Sequence, residues 1–357
     1  MIRFTVSLIA FVGLITLGLV SYIRIELAFP GIMALTRWIG EPDVKAAYEN
    51  ISHVHGLFAT TLFLLSASFL GFTAGMRGAP LGKLWGNTAL IIASIQLLLA
   101  LWETGAMLWP ASFPTYPLRL ENYAEIKDFS AGAMFLSEDY FRMTALTLTI
   151  LASASHVCTS KPYKLGSALL AVITLMTFGL FNFFRLHTGA DIGLSLFIVP
   201  EVILLAILAI VMIDPMRPDE PHLTVGIGLV LITGMAFDLV STLADDMYLG
   251  RSYYFIANNH LAQHGLMLFA FFAAWFRWKL PMGPQWCLWV HSGALALALL
   301  LTYIPMMTIG QRGGMRHMPD STNEFPVLHL MSSIGAAVLV VVILLGLFAP
   351  RLFSSRR

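Results

Sequence analysis

His260 and His264 stand four residues apart in the stretch Tyr253-Tyr254-Phe255-Ile256-Ala257-Asn258-Asn259-His260-Leu261-Ala262-Gln263-His264-Gly265. On a helix this spacing puts both imidazoles on one face, a turn apart. The stretch runs on without a break into an apolar segment ending near Phe276, and at about 1.5 Å per residue the whole is long enough to cross a bilayer. A histidine inside a membrane is costly unless its ring nitrogens are hydrogen-bonded, paired or bound to a metal. The residue therefore marks either a functional site or an interhelical hydrogen bond. A second histidine, His55, begins another apolar segment. If the two segments run parallel, both imidazoles lie roughly 10 Å or less below the same interface. Two neutral imidazoles offered to one iron from opposite faces suit a low-spin haem, whose potential is tuned by burial and by hydrogen bonds to the ligands. His53 competes with His55 for this role, although two residues of helix turn it to nearly the opposite face. Geometry alone leaves that pairing open.

The elements that would carry these residues are membrane spans. The 357 residues are 58% hydrophobic and 11% charged, with a mean hydropathy of +0.78, which sets the chain apart from soluble domains. A net charge of +1 gives no reason to expect nucleic acid as a partner. The two cysteines, Cys158 and Cys287, form neither a disulfide framework nor a CxxC motif. Hydropathy predicts an all-α polytopic membrane protein with about ten transmembrane helices, near 4–24, 52–75, 84–108, 131–157, 165–184, 190–213, 223–243, 253–276, 286–308 and 327–349. The first of these is too long for a signal-peptide core and reads as a retained span. Short connections and uniform apolar texture predict one membrane domain over residues 1–357.

The connections after the second, fourth and eighth spans, together with the C-terminus, carry Arg77, Lys83, Lys161, Lys164, Arg277, Lys279, Arg351, Arg356 and Arg357. Basic loops stay inside, so both termini are expected in the cytoplasm. The expected location is a bacterial inner (cytoplasmic) membrane.

Ordered motifs then resemble subunit I of the haem–copper oxidases. Arg24-Ile25-Glu26-Leu27-Ala28-Phe29-Pro30-Gly31 resembles the end of that family's first helix, and Tyr48 stands seven residues before His55 as in its second. Gly78-Ala79-Pro80 and Asn87 are similar to its loop into the third helix. Pro200-Glu201-Val202 resembles a His-Pro-Glu-Val-Tyr segment, and Tyr253-Tyr254 through His260 resembles Tyr-Tyr-x-x-Ala-His-x-His. Gly314-Met315-Arg316-His317-Met318-Pro319-Asp320 is similar to the loop whose arginines hold haem propionates. The matches run in the family's order from about residue 15 to 345. The resemblance implies a shortened, subunit I-like bundle with His55 and His260 as axial ligands of one haem, of b or a type. It further implies Arg24 against a haem substituent, and Arg316, with His317 in place of a second arginine, near the propionates.

The departures matter as much. The high-spin haem ligand maps onto Asn258, the copper histidines onto Val199, Asp245 and Asp246, and the cross-linking tyrosine onto Ile203. Leu81 occupies the position of the acidic residue at the proton-channel mouth, and two of the family's twelve helices have no room. Valine cannot ligate copper and aspartate suits Cu(I) poorly, so copper is not expected at that centre. Glu201 matches a proton-relay glutamate that has lost its destination. Asp238, Asp245 and Asp246 could share one helical face and hold a hard cation, or simply be hydrated. The resemblance thus implies an electron-transfer subunit of a respiratory-type membrane complex. Its expected partners are lipid, other subunits, and an outer-side electron-transfer protein or quinol, and it would not itself reduce oxygen. The alternatives are an oxygen or nitric oxide reductase-like enzyme with a rebuilt site, and a cofactor-free scaffold or assembly subunit.

Overall fold

A computed structural model of the chain describes residues 1–29, 31–32, 44–108, 144–145, 148–149, 151–152, 221–230, 252–279, 285–314 and 325–354. Among the described residues the fold is all-helical. Its helices are α1 (Ile2–Ala28), α2 (Val44–Met76), α3 (Pro80–Leu108), α4 (Pro221–Val230), α5 (Tyr253–Lys279), α6 (Gln285–Gln311) and α7 (Pro326–Ser354). Among the described residues, five helical segments are long and apolar enough to cross a membrane: Ile2–Ala28, Asn50–Met76, Leu81–Gly105, Gln285–Gln311 and Pro326–Phe348. The spans expected at 165–184 and 190–213 lie outside the described residues, as does most of the one at 131–157. For the span expected at 223–243, the described part is α4.

The helix expected at 253–276 is present as Tyr253–Lys279, with its apolar residues gathered in the second half. Asn258, Asn259, His260, Gln263 and His264 make its first half polar. That half has to be covered by protein rather than by lipid tails.

Helix ends follow from local chemistry. Pro80, Pro221 and Pro326 open α3, α4 and α7, where the missing N–H is one the helix could not use and φ is already helical. Gly78 (φ 88°) and Gly313 (φ 101°) close α2 and α6. In each case the next residue's N–H reaches back five residues, Ala79 to Ala74 O at 3.2 Å and Gly314 to Ile309 O at 2.9 Å. This turn answers the last carbonyls, and a side chain at the left-handed position would be strained.

The chain divides into two compact units. The first holds α2, α3 and α1 up to Leu19; the second holds α1 from Val20, with α4 to α7. The first unit is built on an unusually close crossing of α2 and α3. A Cβ on Gly71 would stand 2.5 Å from Gly86 N and 2.6 Å from Gly82 O, and one on Gly82 would stand 2.7 Å from Gly75 N. Ser68 Oγ donates to Gly86 O at 2.9 Å across the same crossing. Small residues four apart on both helices let the backbones approach, which is how helices associate where lipid removes the hydrophobic drive. Phe58, Leu64, Leu65, Phe69 and Leu70 are buried on the α2 side.

In the second unit α5 is the buried helix, with Tyr253, Ala257, Leu261, Phe269 and Phe272 enclosed. On α7, Leu330, Ile334, Val338, Val341, Leu345 and Phe348 form an exposed stripe at helical spacing. An apolar stripe of that length suits a bilayer environment.

Replacing Gly71 by Leu should force the α2–α3 crossing apart. Overpacking of this kind costs about 1–3 kcal/mol or more, read as a lower melting temperature in detergent. Gly18→Ala, where nothing lies within 4 Å of the added carbon, should leave melting unchanged or raise it. Equal melting of the two variants would contradict this packing.

Candidate functional site

The polar half of α5 organises the second unit. His260 Nδ1 lies 2.8 Å from Ile256 O, one turn back. A carbonyl can only accept, so Nδ1 carries the hydrogen and Nε2 keeps its lone pair. That arrangement fixes tautomer and ring plane together, as the outer partner of a metal-binding imidazole does. His264 packs edge-on against His260, with ring centroids 4.2 Å apart. Its own Nδ1 shares a 3.4 Å hydrogen bond with the Tyr303 hydroxyl on α6. Ile256, His260, His264 and Leu268 form a half-buried stripe of α5, with Tyr303 5.9 Å from His260 by ring centroids. Asn258, two residues from His260, is 4% exposed and turned into the interior.

A break in α6 helps place Arg24. Pro305 lies inside that helix and offers no N–H to the carbonyl of Leu301. Beside this carbonyl α7 comes close, because Gly335 has no side chain to hold it away from Leu301 and Thr302. Ser332, a turn earlier on α7, then donates to Thr302 O at 2.6 Å. The Ser332 hydroxyl oxygen accepts a hydrogen bond from Arg24 Nη1, while Arg24 Nη2 points to Met306 Sδ at 3.1 Å. The guanidinium of α1 is thus held by α6 and α7 through one serine and one thioether.

The Glu-Leu-x-x-Pro-Gly part of the first motif has a local explanation. Glu26 Oε1 accepts the Gly31 N–H at 2.6 Å, and Gly31 sits at φ 86°. The carboxylate ties the turn that ends α1, and glycine supplies the left-handed residue it needs. At the other end of the sequence, Tyr253 N donates to Gly314 O at 3.1 Å. This bond fastens Gly314, just past the end of α6, to the first residue of the His260 helix. Gly310 permits it, since a side chain there would run into Tyr254.

His55 belongs to the first unit, on α2, where Tyr48, Ile51, His55 and Phe58 recur at helical spacing on one face. Tyr48, Ile51 and Phe58 are buried. Of the other residues that the sequence singled out, Arg316, His317, Glu201, Asp238, Asp245 and Asp246 lie outside the described residues. Among the described residues, no three His, Cys, Asp or Glu side chains converge as a metal-binding group.

Several residues now at the site carried no motif. Tyr303, Met306 and Ser332 are ordinary in a span, and only their contacts give them a role. His291 and His222 also escaped notice, although a histidine within a span, as His291 is, was a usable signal. No family model matches the chain.

Ser332→Ala should lower stability by about 1–3 kcal/mol, because it removes the Ser332 acceptor from a part-buried guanidinium N–H. Arg24→Met should cost less in that background than in the native chain, with a coupling of about 0.5–3 kcal/mol in a double-mutant cycle. Additive losses in thermal unfolding would show that the two side chains do not act together.

Proposed function

We propose that this chain is an integral membrane haem protein that carries electrons within a respiratory-type complex of the bilayer. In this reading one low-spin haem is held by His55 and His260, and Arg316 and His317 serve its propionates. The observation that carries the reading is the bond from His260 Nδ1 to Ile256 O, which fixes the tautomer and ring plane of an imidazole in a polar stretch of a membrane helix. When bound, the haem supplies a one-electron carrier whose potential depends on its ligands and surroundings.

The chain's own residues have definite work. Ile256 O orients the His260 ring and raises its basicity. His264 and Tyr303 pack beside that ring and hold its neighbourhood polar. The Tyr253–Gly314 bond ties the residue two before Arg316 to the start of α5. Oxygen reduction is not part of the proposal, because Val199, Asp245, Asp246 and Asn258 stand where the resembling family has copper and high-spin haem ligands. A bacterial inner membrane, cytoplasmic termini, and an outer-side donor or quinol belong to the same proposal.

Purified protein should contain one haem per chain, with the absorption spectrum of a six-coordinate low-spin centre. Substituting His55→Ala or His260→Ala should abolish that spectrum, whereas His53→Ala should keep it. Two haems per chain, or an unaltered spectrum in either ligand variant, would defeat the assignment.

A further inference from the structure

A second pair of histidines joins α4 to α6. His291 is about 18 Å along α6 from Tyr303 at 1.5 Å per residue. Its Nδ1 stands 2.9 Å from Nε2 of His222, the second residue of α4. The other nitrogen of His291, Nε2, is 3.1 Å from Val342 O on α7. Gly346 makes that reach possible, because a side chain there would strike the His291 ring and Phe272. Since Val342 O can only accept, His291 carries its hydrogen on Nε2 and turns a lone pair on Nδ1 towards His222.

The surroundings are aromatic. The His222 ring is stacked 5.2 Å from Phe276, and His291 meets Phe272 at 4.6 Å and Phe276 at 5.1 Å, all between ring centroids. His222 is 2% exposed. Two imidazole nitrogens therefore face each other inside a cage of phenylalanine rings.

From this geometry we infer a binding site for a monovalent, soft, two-coordinate cation, copper(I), between His222 Nε2 and His291 Nδ1. Imidazole is a good copper ligand. The bond from His291 Nε2 to a backbone carbonyl is the outer-partner arrangement that metal-binding histidines adopt. A divalent ion would want further donors and would bring a second charge into an apolar cage. A single positive charge needs only the two nitrogens. With metal–nitrogen bonds of about 2 Å, the two rings must part by roughly 1 Å. The hydrogen on His222 Nε2 moves to Nδ1 as the metal takes its place, so the pair stays neutral and no proton is released. The copper ligands lost from the family pattern, at Val199, Asp245 and Asp246, are different residues. The inference does not depend on the haem assignment.

The test is anaerobic titration of the purified full chain with copper(I) against a chromogenic copper(I) chelator. The native chain should withhold one equivalent, and X-ray absorption should show two nitrogen neighbours and no sulfur. His222→Phe and His291→Phe, which keep the cage aromatic, should each lose that equivalent. Gly346→Ala, which displaces His291 from Val342, should weaken retention on the order of 10–100-fold. Size-exclusion profile and melting of the metal-free variants report folding independently of copper. No copper withheld by the native chain, or equal retention in both well-folded phenylalanine variants, would overturn the inference and leave the pair as a hydrogen-bonded tie between α4, α6 and α7.

Discussion

Every polar group that this chain carries into an apolar slab has to be answered by another group of the chain, because lipid offers no hydrogen bonds. That constraint explains the helical backbone and the glycine-closed helix ends. It also accounts for the back-bonding of threonine and serine hydroxyls to carbonyls a turn earlier, as at Thr61, Ser66 and Thr302. The same constraint acts more sharply on the imidazoles and on Arg24. His260 is settled by Ile256, His264 by Tyr303, His291 by Val342, and Arg24 by Ser332 and Met306. A side chain that is held in this way presents its remaining atom in a fixed direction, which is what turns satisfaction of a polar group into a candidate site.

Close backbone approach is the other half of the design. Gly310, Gly335 and Gly346 each stand where α6, α7 and their neighbours nearly touch, and each approach brings a polar contact within reach. Gly310 accompanies the bond between Tyr253 and Gly314. Gly335 lies beside the carbonyl left open by Pro305, a turn from Ser332. Gly346 admits His291 to Val342. In membranes, where van der Waals packing and interhelical hydrogen bonds replace hydrophobic burial as the force between helices, small residues and buried polar groups are expected to occur together in this way.

The helices were readable from sequence wherever about 20 apolar residues run together, and α1, α2, α3, α6 and α7 all extend slightly beyond their hydropathy limits. Pattern also pointed to His260, since ionisable residues are conspicuous in such segments, and the motif around Glu26 pointed to Arg24. Partners were not readable. Ser332 lies 308 residues from Arg24, and nothing in the composition of α7 distinguishes it from the other serines. Tyr303 was hidden by the same ordinariness. His222 and His291 have no neighbouring motif, and only the meeting of α4 with α6 shows that their nitrogens face each other. The polarity of the first half of α5 was visible, but hydropathy averaged it with the apolar second half and returned a uniform span.

The central claim is that an imidazole from α2 and one from α5 hold a single haem iron. Electron paramagnetic resonance of the oxidised, purified protein at low temperature tests it most directly. A low-spin ferric signal of the kind given by two imidazole ligands, accounting for one iron per chain and indifferent to added cyanide, is the predicted result. A high-spin ferric signal that cyanide converts, or the lack of any haem iron in protein made with ample haem, would contradict it.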